Sequence, residues 1–312
     1  MRLKTLREQV IVITGASSGI GLATARKAAC AGAKVVLAAR TECALASIVR
    51  ALTSDGAEAT SFVVDVADRE QVEALARATI ERYGRIDTWV NNAGVCIYGR
   101  LDEVDERDSR RLFEVNFWGV VHGSLVALPW LRRAHGALIN MGSDVADVPM
   151  PLQGMYAASK NAVRAFTDTL RIEVEQCSDE PVAITLVEPA GVDTPLPQHA
   201  RNYMRREPKV RGPVLAAEDV AAVILDAAEH RHRCVRVGRQ ALSSTLLSSA
   251  LRTLAPEAAD RMAAKQIPEL QYDESPRRPQ GILHAPNDTE FANVEGSGPF
   301  DGPPSFLRLA MP

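Results

Sequence analysis

Short runs rich in β-branched residues recur along the chain, and a longer segment separates each from the next. The runs are Val10–Thr14, Lys34–Ala39, Thr60–Val64, Ile86–Asn91, Ala137–Gly142, Val182–Val187 and Cys234–Val237. Between them lie Ala- and Leu-rich stretches such as Gly21–Ala31, Glu42–Asp55, Arg69–Tyr83 and Met155–Gln176. Strands that are apolar throughout must be covered on both faces, and parallel strands joined by helices provide that cover. Right-handed crossovers then give an α/β fold of Rossmann type: a doubly wound parallel sheet of about seven strands with helices on both faces.

The chain has 312 residues, 46% of them hydrophobic and 24% charged, with a net charge of −3. That composition suits a globular domain with a full core and excludes bulk disorder. The small acidic excess gives no general attraction to nucleic acid. Five scattered cysteines with no C-x-x-C pair make a poor disulfide framework, so reduced thiols and a cytoplasmic setting are expected. The start, Met1 to Gln9, lacks the apolar core and cleavage site of a signal peptide. The charge-free stretch Val115 to Leu131 contains Asn116, Gly119, His122, Gly123 and Pro129 and reads as a buried helix rather than a bilayer span.

The pattern divides the chain into an α/β domain at 1–238, a helical appendage at 239–272 and a tail at 273–312. Leucines at 242, 246, 247, 251 and 254 suit helix faces in the appendage. The last 40 residues contain 7 Pro and 4 Gly, a composition of irregular chain. The tail is either a free terminus or docks through Phe291, Phe300, Phe306 and Leu307. Arg239, Arg252, Arg261 and Lys265 beside the leucines permit a membrane-surface or subunit-docking role.

Val10–Thr14 runs into Gly15-Ala16-Ser17-Ser18-Gly19-Ile20-Gly21 and then a helix. Glycines allow a tight turn and close approach of backbone to ligand, and the helix N-terminus favours a pyrophosphate. The context, between the first strand and first helix of a βαβ unit, supports dinucleotide binding. With Thr14 in front, the string TGASSGIG resembles the short-chain dehydrogenase/reductase family in its classical form. Asp65, Asn91-Asn92-Ala93-Gly94, Asn116, Ser143 and Tyr156-Ala157-Ala158-Ser159-Lys160 follow in the family's order, and the resemblance spans about Val10 to Val237.

The resemblance implies that Gly15, Ser17, Ser18, Gly19, Ile20 and Gly21 carry the cofactor's phosphates. It also implies that Asp65 and Val66 meet the adenine, that Asn92 lines the adenosine ribose and that the Asn91–Gly94 turn braces the sheet. Val192 and Thr194 would hold the carboxamide. At the end of the second strand a carboxylate would favour NAD(H) and an Arg a 2′-phosphate. This chain has Ala39 followed by Arg40, so NADP(H) is expected ahead of NAD(H).

Tyr156 and Lys160 are four apart on a helix and share a face. A nearby ammonium would lower the phenol's pKa from about 10, fitting Tyr156 as general acid and base. Ser143, at the C-terminal edge of the sheet, could donate to a substrate carbonyl oxygen. The family assigns Lys160 the nicotinamide ribose and Asn116 a water that links Lys160 to solvent. The expected reaction is hydride transfer between a small-molecule ketone or aldehyde and an alcohol. The alternative is a catalytically idle dinucleotide-binding sensor or scaffold.

Two positions depart from the pattern. Ala190 stands where the family usually has Gly, which would strain a backbone with φ > 0 unless Gly191 takes up the turn. Gly142 stands where a second serine is common. Leu196 to Val214 is expected to form a substrate lid; its Arg201, Arg205, Arg206, Lys209 and Arg211 allow either an acidic substrate or a solvated loop. No metal is expected: His230 and His232 lack an evident third ligand. A homodimer or homotetramer is implied by the family, with Val115–Leu131 and Met155–Gln176 as candidate faces.

Overall fold

In the computed structural model, residues 3–146, 150–177, 181–209, 214–238, 255–265, 267–271 and 273–286 are described. Seven parallel strands form one sheet: β1 (Val10–Thr14), β2 (Lys34–Ala39), β3 (Ala59–Val63), β4 (Thr88–Asn91), β5 (Ala137–Met141), β6 (Ala183–Pro189) and β7 (Cys234–Val237). Their spatial order is β3-β2-β1-β4-β5-β6-β7. The order reverses between β1 and β4, where Ile11 pairs with Thr88 and Ile13 with Val90. Open α/β sheets bind ligands at such a reversal, beyond the C-terminal strand ends.

Alternation along β1 divides the core. Ile11 and Ile13 point to one face, packed by α1 (Gly19–Cys30), α2 (Glu42–Ser54) and α7 (Ala217–Glu229). Val10 and Val12 point to the other, packed by α3 (Arg69–Tyr83), α4 (Glu106–Phe113), α5 (Gly119–Ala134) and α6 (Gly154–Cys177). Local signals set the helix ends. Asp68 caps α3 by accepting from the amides of Glu70 and Gln71 at 2.9 and 3.3 Å, and Gly84 closes it at φ +74°.

Residues 106–134 are not one continuous α-helix. Between α4 and α5 the turn Glu114–Trp118 is π-helical and carries Asn116, which is fully buried. Such π-turns concentrate at functional sites. The Val115–Leu131 stretch is buried on one side and exposes Trp118 and Leu125 on the other, and no described helix is long and apolar enough to cross a membrane.

After β7, the described part of the appendage is the helix α8 (Pro256–Lys265) and a 3-10 turn at Ile267–Leu270. The leucines 242–254, Arg239, Arg252, Phe291, Phe300, Phe306 and Leu307 lie outside the described residues. Glu274, Pro279 and Ile282 are hydrogen-bonded to the body through their backbone, and Leu283 is only 1% exposed. The change of composition at Asp273 is thus not the end of packed chain.

Candidate active site

A cleft of about 890 Å³ opens at the C-terminal strand ends, floored by the glycine loop, Asn92, Ser143, Tyr156 and Lys160. The loop fits a phosphate-bearing ligand. Gly15 and Gly19 have φ of +64° and +52°, which side-chain-bearing residues rarely adopt. Ser18, the N-cap of α1, makes no side-chain cap hydrogen bond, so first-turn amides lack that cap acceptor beside the cleft.

The loop is braced from β4. Thr14 Oγ1 accepts from the amides of Asn92 and Ala93 at 3.0 and 3.1 Å. Asn92 Nδ2 donates to the carbonyls of Thr14 and Gly15 at 3.0 and 3.1 Å. Asn92 lines the cleft, but both hydrogens of its amide go to the loop. Asn91 reaches the other way, donating to Asn140 Oδ1 and Ser124 Oγ at 2.9 and 3.1 Å and joining β4, β5 and α5.

At the outer end, Arg40, Asp65 and Val66 line the cleft. Asp65 is ion-paired with Arg111 and accepts from the Ala67 amide at 3.1 Å. Arg40 donates to the backbone carbonyls of Ile282 and Leu283, so the tail reaches this end of the cleft. At the inner end Thr194 packs on Gly19: a Cβ on that glycine would lie 3.1 Å from the threonine side chain. Val192 pairs with Leu215 in a two-residue strand beside it.

Ser143, Tyr156 and Lys160 converge from two elements. Ser143 follows β5; its Oγ donates to Asp144 Oδ1 and accepts from the Val145 amide, both at 3.4 Å, and it interacts with the phenol of Tyr156. Lys160, 5% exposed, donates from Nζ to the Met141 carbonyl at 2.9 Å, and its Nζ lies 5.7 Å from the Tyr156 ring centre. Asn116 accepts from the Val95 amide at 2.8 Å and donates to the Val95 carbonyl and Ser159 Oγ at 2.9 and 3.1 Å. It ties α6 to the segment after β4.

The electrostatics correct one expectation. Burial pushes the phenol of Tyr156 upward, with the Cys96 thiol adding to the rise and Ser143 opposing it. Burial pulls the Lys160 ammonium down to about 8. The cause is desolvation, which disfavours both charged forms and outweighs the attraction expected between them. The ammonium also faces the Met141 carbonyl. In this cleft the phenol holds its proton, the state a general acid needs.

Neither departure disturbs the backbone. Neither Ala190 nor Gly191 has positive φ; Gly238 does, at +112°, and a Cβ there would lie 3.2 Å from that of Ala190. Gly142 makes room for Glu188: a Cβ would lie 2.9 Å from Glu188 Cγ, and this buried carboxylate pairs with Arg164 at 2.5 Å.

Arg201 and Arg206 of the expected lid have partners. Arg201 Nε bonds Asp108 Oδ2 at 2.8 Å and Arg206 pairs with Asp273 at 3.0 Å, which weakens the reading of an acidic substrate. Arg211 lies outside the described residues. His230 and His232 both bond Asp226, at 2.8 and 2.7 Å. Sequence reasoning missed the cleft residues Cys96, Tyr98, Asp144 and Gln153, and Ala259, Ala263, Leu270 and Ile282 from the C-terminal segment. Only Ile282-Leu283 beside Gly281, an apolar pair in polar chain, offered a signal.

Asp144 gives a pH test. Burial is the main cause that raises its carboxyl from 3.8 to about 6, against the Ser143 hydrogen bond. Its folded value lies above the unfolded one. The stability it contributes is full below about pH 4 and is lost as pH rises through about 6. A shift of that size corresponds to about 3 kcal/mol. Asp144→Asn is expected to be more stable than the parent by about 2 kcal/mol at about pH 8 and equal near pH 4. Thermal unfolding across that range checks this; a difference that does not change with pH would contradict it.

A family model described as short chain dehydrogenase matches residues 9–204. An uncharacterised oxidoreductase, YxnA, of Bacillus subtilis is 42% identical over 283 residues, covering 90% of this chain and 78% of that protein. The crystal structure of a short chain dehydrogenase/reductase from Burkholderia phymatum in complex with NAD has a TM-score of 0.72 and 33% identity, covering 81% of this chain and 96% of that one. The alcohol dehydrogenase of Thermococcus sibiricus, complexed with 5-hydroxy-NADP, has a TM-score of 0.65 and 30% identity, covering 73% of this chain and 95% of that one. With its strand order, glycine loop and Ser-Tyr-Lys cleft, this chain belongs to the short chain dehydrogenase/reductase family of oxidoreductases.

Proposed function

We propose that the protein is an NADP(H)-dependent oxidoreductase that interconverts a ketone or aldehyde and the corresponding alcohol. The observation that carries this reading is the convergence of Ser143, Tyr156 and Lys160 on the cleft that contains the glycine loop. A bound nicotinamide dinucleotide supplies or accepts the hydride. Gly15, Ser17, Ser18, Gly19, Ile20 and Gly21 would hold its phosphates, Asp65, Val66 and Asn92 its adenosine end, and Val192, Thr194 and Lys160 its nicotinamide end.

The protein's own part is polarisation and proton transfer. Ser143 donates toward the substrate oxygen, where negative charge develops, and Tyr156 delivers the proton to it. Lys160 and Asn116 keep the helix face and the segment after β4 in register with them. Tyr156 packs against the buried cluster of Cys96, Tyr98, Ala200 and Met204, a mostly apolar wall that suits an apolar carbonyl compound. Exposed Trp118 and Leu125 on the π-turn and α5, with Ile172 on α6, support pairing of subunits through those helices.

The test is a panel of ketones, aldehydes and alcohols followed by nicotinamide absorbance. Turnover of at least one carbonyl compound with NADPH is expected; binding of NADPH without turnover of any compound would favour an idle sensor.

Arg40 carries the choice of NADP(H). A charge-assisted contact is worth about 1.5–3 kcal/mol, or roughly tenfold to hundredfold in affinity. Arg40→Ala is expected to raise the NADPH dissociation constant by that factor and to change that of NADH less than about twofold. Tighter binding of NADH than NADPH by the parent protein would contradict the assignment.

A further inference from the structure

The C-terminal segment turns back as a strap that joins the lid to the outer end of the cleft. Backbone bonds tie it down in sequence: Lys209 N to Leu270 O at 2.8 Å, Glu207 N to Glu274 O at 2.9 Å, Asn202 N to Pro279 O at 2.8 Å and Ile282 N to His199 O at 2.9 Å. Gly281 sits at the tightest point. Its φ is +55°, and a Cβ there would lie 2.4 Å from the carbonyl oxygens of His199 and Ala200. Beyond it, Leu283 is 1% exposed and packs in the cluster of Val36, Ala38 and Val64. His284 Nε2 bonds Asp108 Oδ1 at 2.7 Å, and Asp108 also accepts from Arg201 Nε and from the Tyr203 hydroxyl at 2.8 and 2.7 Å.

Anchored on both sides, the strap presents two carbonyls to Arg40, and the Leu283 carbonyl also accepts from Arg111 Nε at 3.4 Å. Arg40 Nη1 donates to Leu283 O at 3.2 Å and Nη2 to Ile282 O. Two of the five guanidinium N–H donors are thereby directed to neutral acceptors. The charge is retained, and a long side chain that would otherwise rotate freely is fixed at the cleft mouth. Preorganising a charged donor in this way lowers the cost of ordering it on binding.

We infer that residues 281–284 are a positioning element for cofactor choice, holding the Arg40 guanidinium with its other donors available to the 2′-phosphate of the cofactor. This rests on the reading of Arg40 as the reader of that phosphate. The strap touches the reader through backbone carbonyls, so it is tested by loosening its anchors.

In the full chain, Leu283→Ala and His284→Ala remove the buried anchor and the outer pin. Titration calorimetry with NADPH and NADH is compared with Arg40→Ala. Each anchor variant is expected to weaken NADPH about tenfold, with NADH changing less than about twofold. In the parent, hydrogen exchange at the Ile282 amide is expected to slow more with NADPH than with NADH, which a purely structural strap would not do. If Leu283→Ala does not fold, His284→Ala, at a half-exposed side chain, carries the comparison.

An unchanged NADPH-to-NADH ratio in the anchor variants, with a collapsed ratio in Arg40→Ala, would overturn the strap and leave the reader standing. Tighter NADPH binding in the anchor variants would overturn it too, because the strap would then obstruct Arg40. An unchanged ratio in Arg40→Ala would remove the reader, and the strap's role with it.

Discussion

Tyr156→Phe is expected to lower turnover by about a thousandfold while leaving the NADPH dissociation constant within about twofold. The substitution deletes one hydroxyl and keeps the ring. Its packing against Cys96, Tyr98, Ala200 and Met204 is retained, and so is the position of Lys160, which is fixed by the Met141 carbonyl rather than by the phenol. Among the described neighbours, neither Tyr98 nor Cys96 replaces the lost proton donor. Tyr98 is a fully buried phenol pushed well up by desolvation, with Cys96 and Tyr156 adding to the rise. Burial holds the Cys96 thiol at about 12. Steady-state kinetics with the best carbonyl compound, together with a binding titration, check the result. A kcat within tenfold of the parent would remove Tyr156 from the chemistry.

Gly21→Ala is expected to weaken the dinucleotide at least about a hundredfold, a loss of about 3 kcal/mol. An added Cβ would lie 2.2 Å from the carbonyl oxygen of Gly15 and 2.5 Å from Asn92 Nδ2. The first is backbone and the second is the brace that holds the loop, so neither yields without opening the turn. Overpacking of this kind also destabilises by roughly 1–3 kcal/mol. Gly56→Ala is the control: it has φ of +85° but nothing within 4 Å of an added Cβ. It is expected to cost about 1 kcal/mol of stability and to leave binding unchanged. Titration calorimetry and thermal unfolding of both variants separate the effects; equal binding by the two would contradict the cradle.

The strands were legible because their signal is local. Val10–Thr14, Lys34–Ala39 and Cys234–Val237 coincide with the runs read from sequence, and the others differ by a few residues at their ends. The convergence of Ser143, Tyr156 and Lys160 on the cleft was legible because spacing along a helix and position at a strand end fix their faces. The C-terminal strap was not. Its Pro and Gly content reads as irregular chain, and its order comes from hydrogen bonds to residues up to about 240 positions away. The direction of the Tyr156 shift was also hidden. Spacing places an amine near a phenol, but the shift depends on everything that packs around them: burial raises the phenol first, and the Cys96 thiol adds to the rise. The π-turn at Asn116 escaped for a related reason: an apolar stretch of 17 residues reads as helix, and one extra residue in a turn leaves no periodic mark.

In the proposed reaction this cleft passes a hydride between a nicotinamide and a carbonyl carbon, with Tyr156 supplying the proton. The most direct measurement uses NADPH carrying deuterium at its transferable position, a carbonyl compound from the panel, and mass spectrometry of the alcohol formed. One deuterium is expected on the carbinol carbon with the parent protein and almost none with Tyr156→Phe in the same time. NADPH bound in the cleft with no labelled alcohol from any compound, or equal labelling by the two proteins, would contradict it.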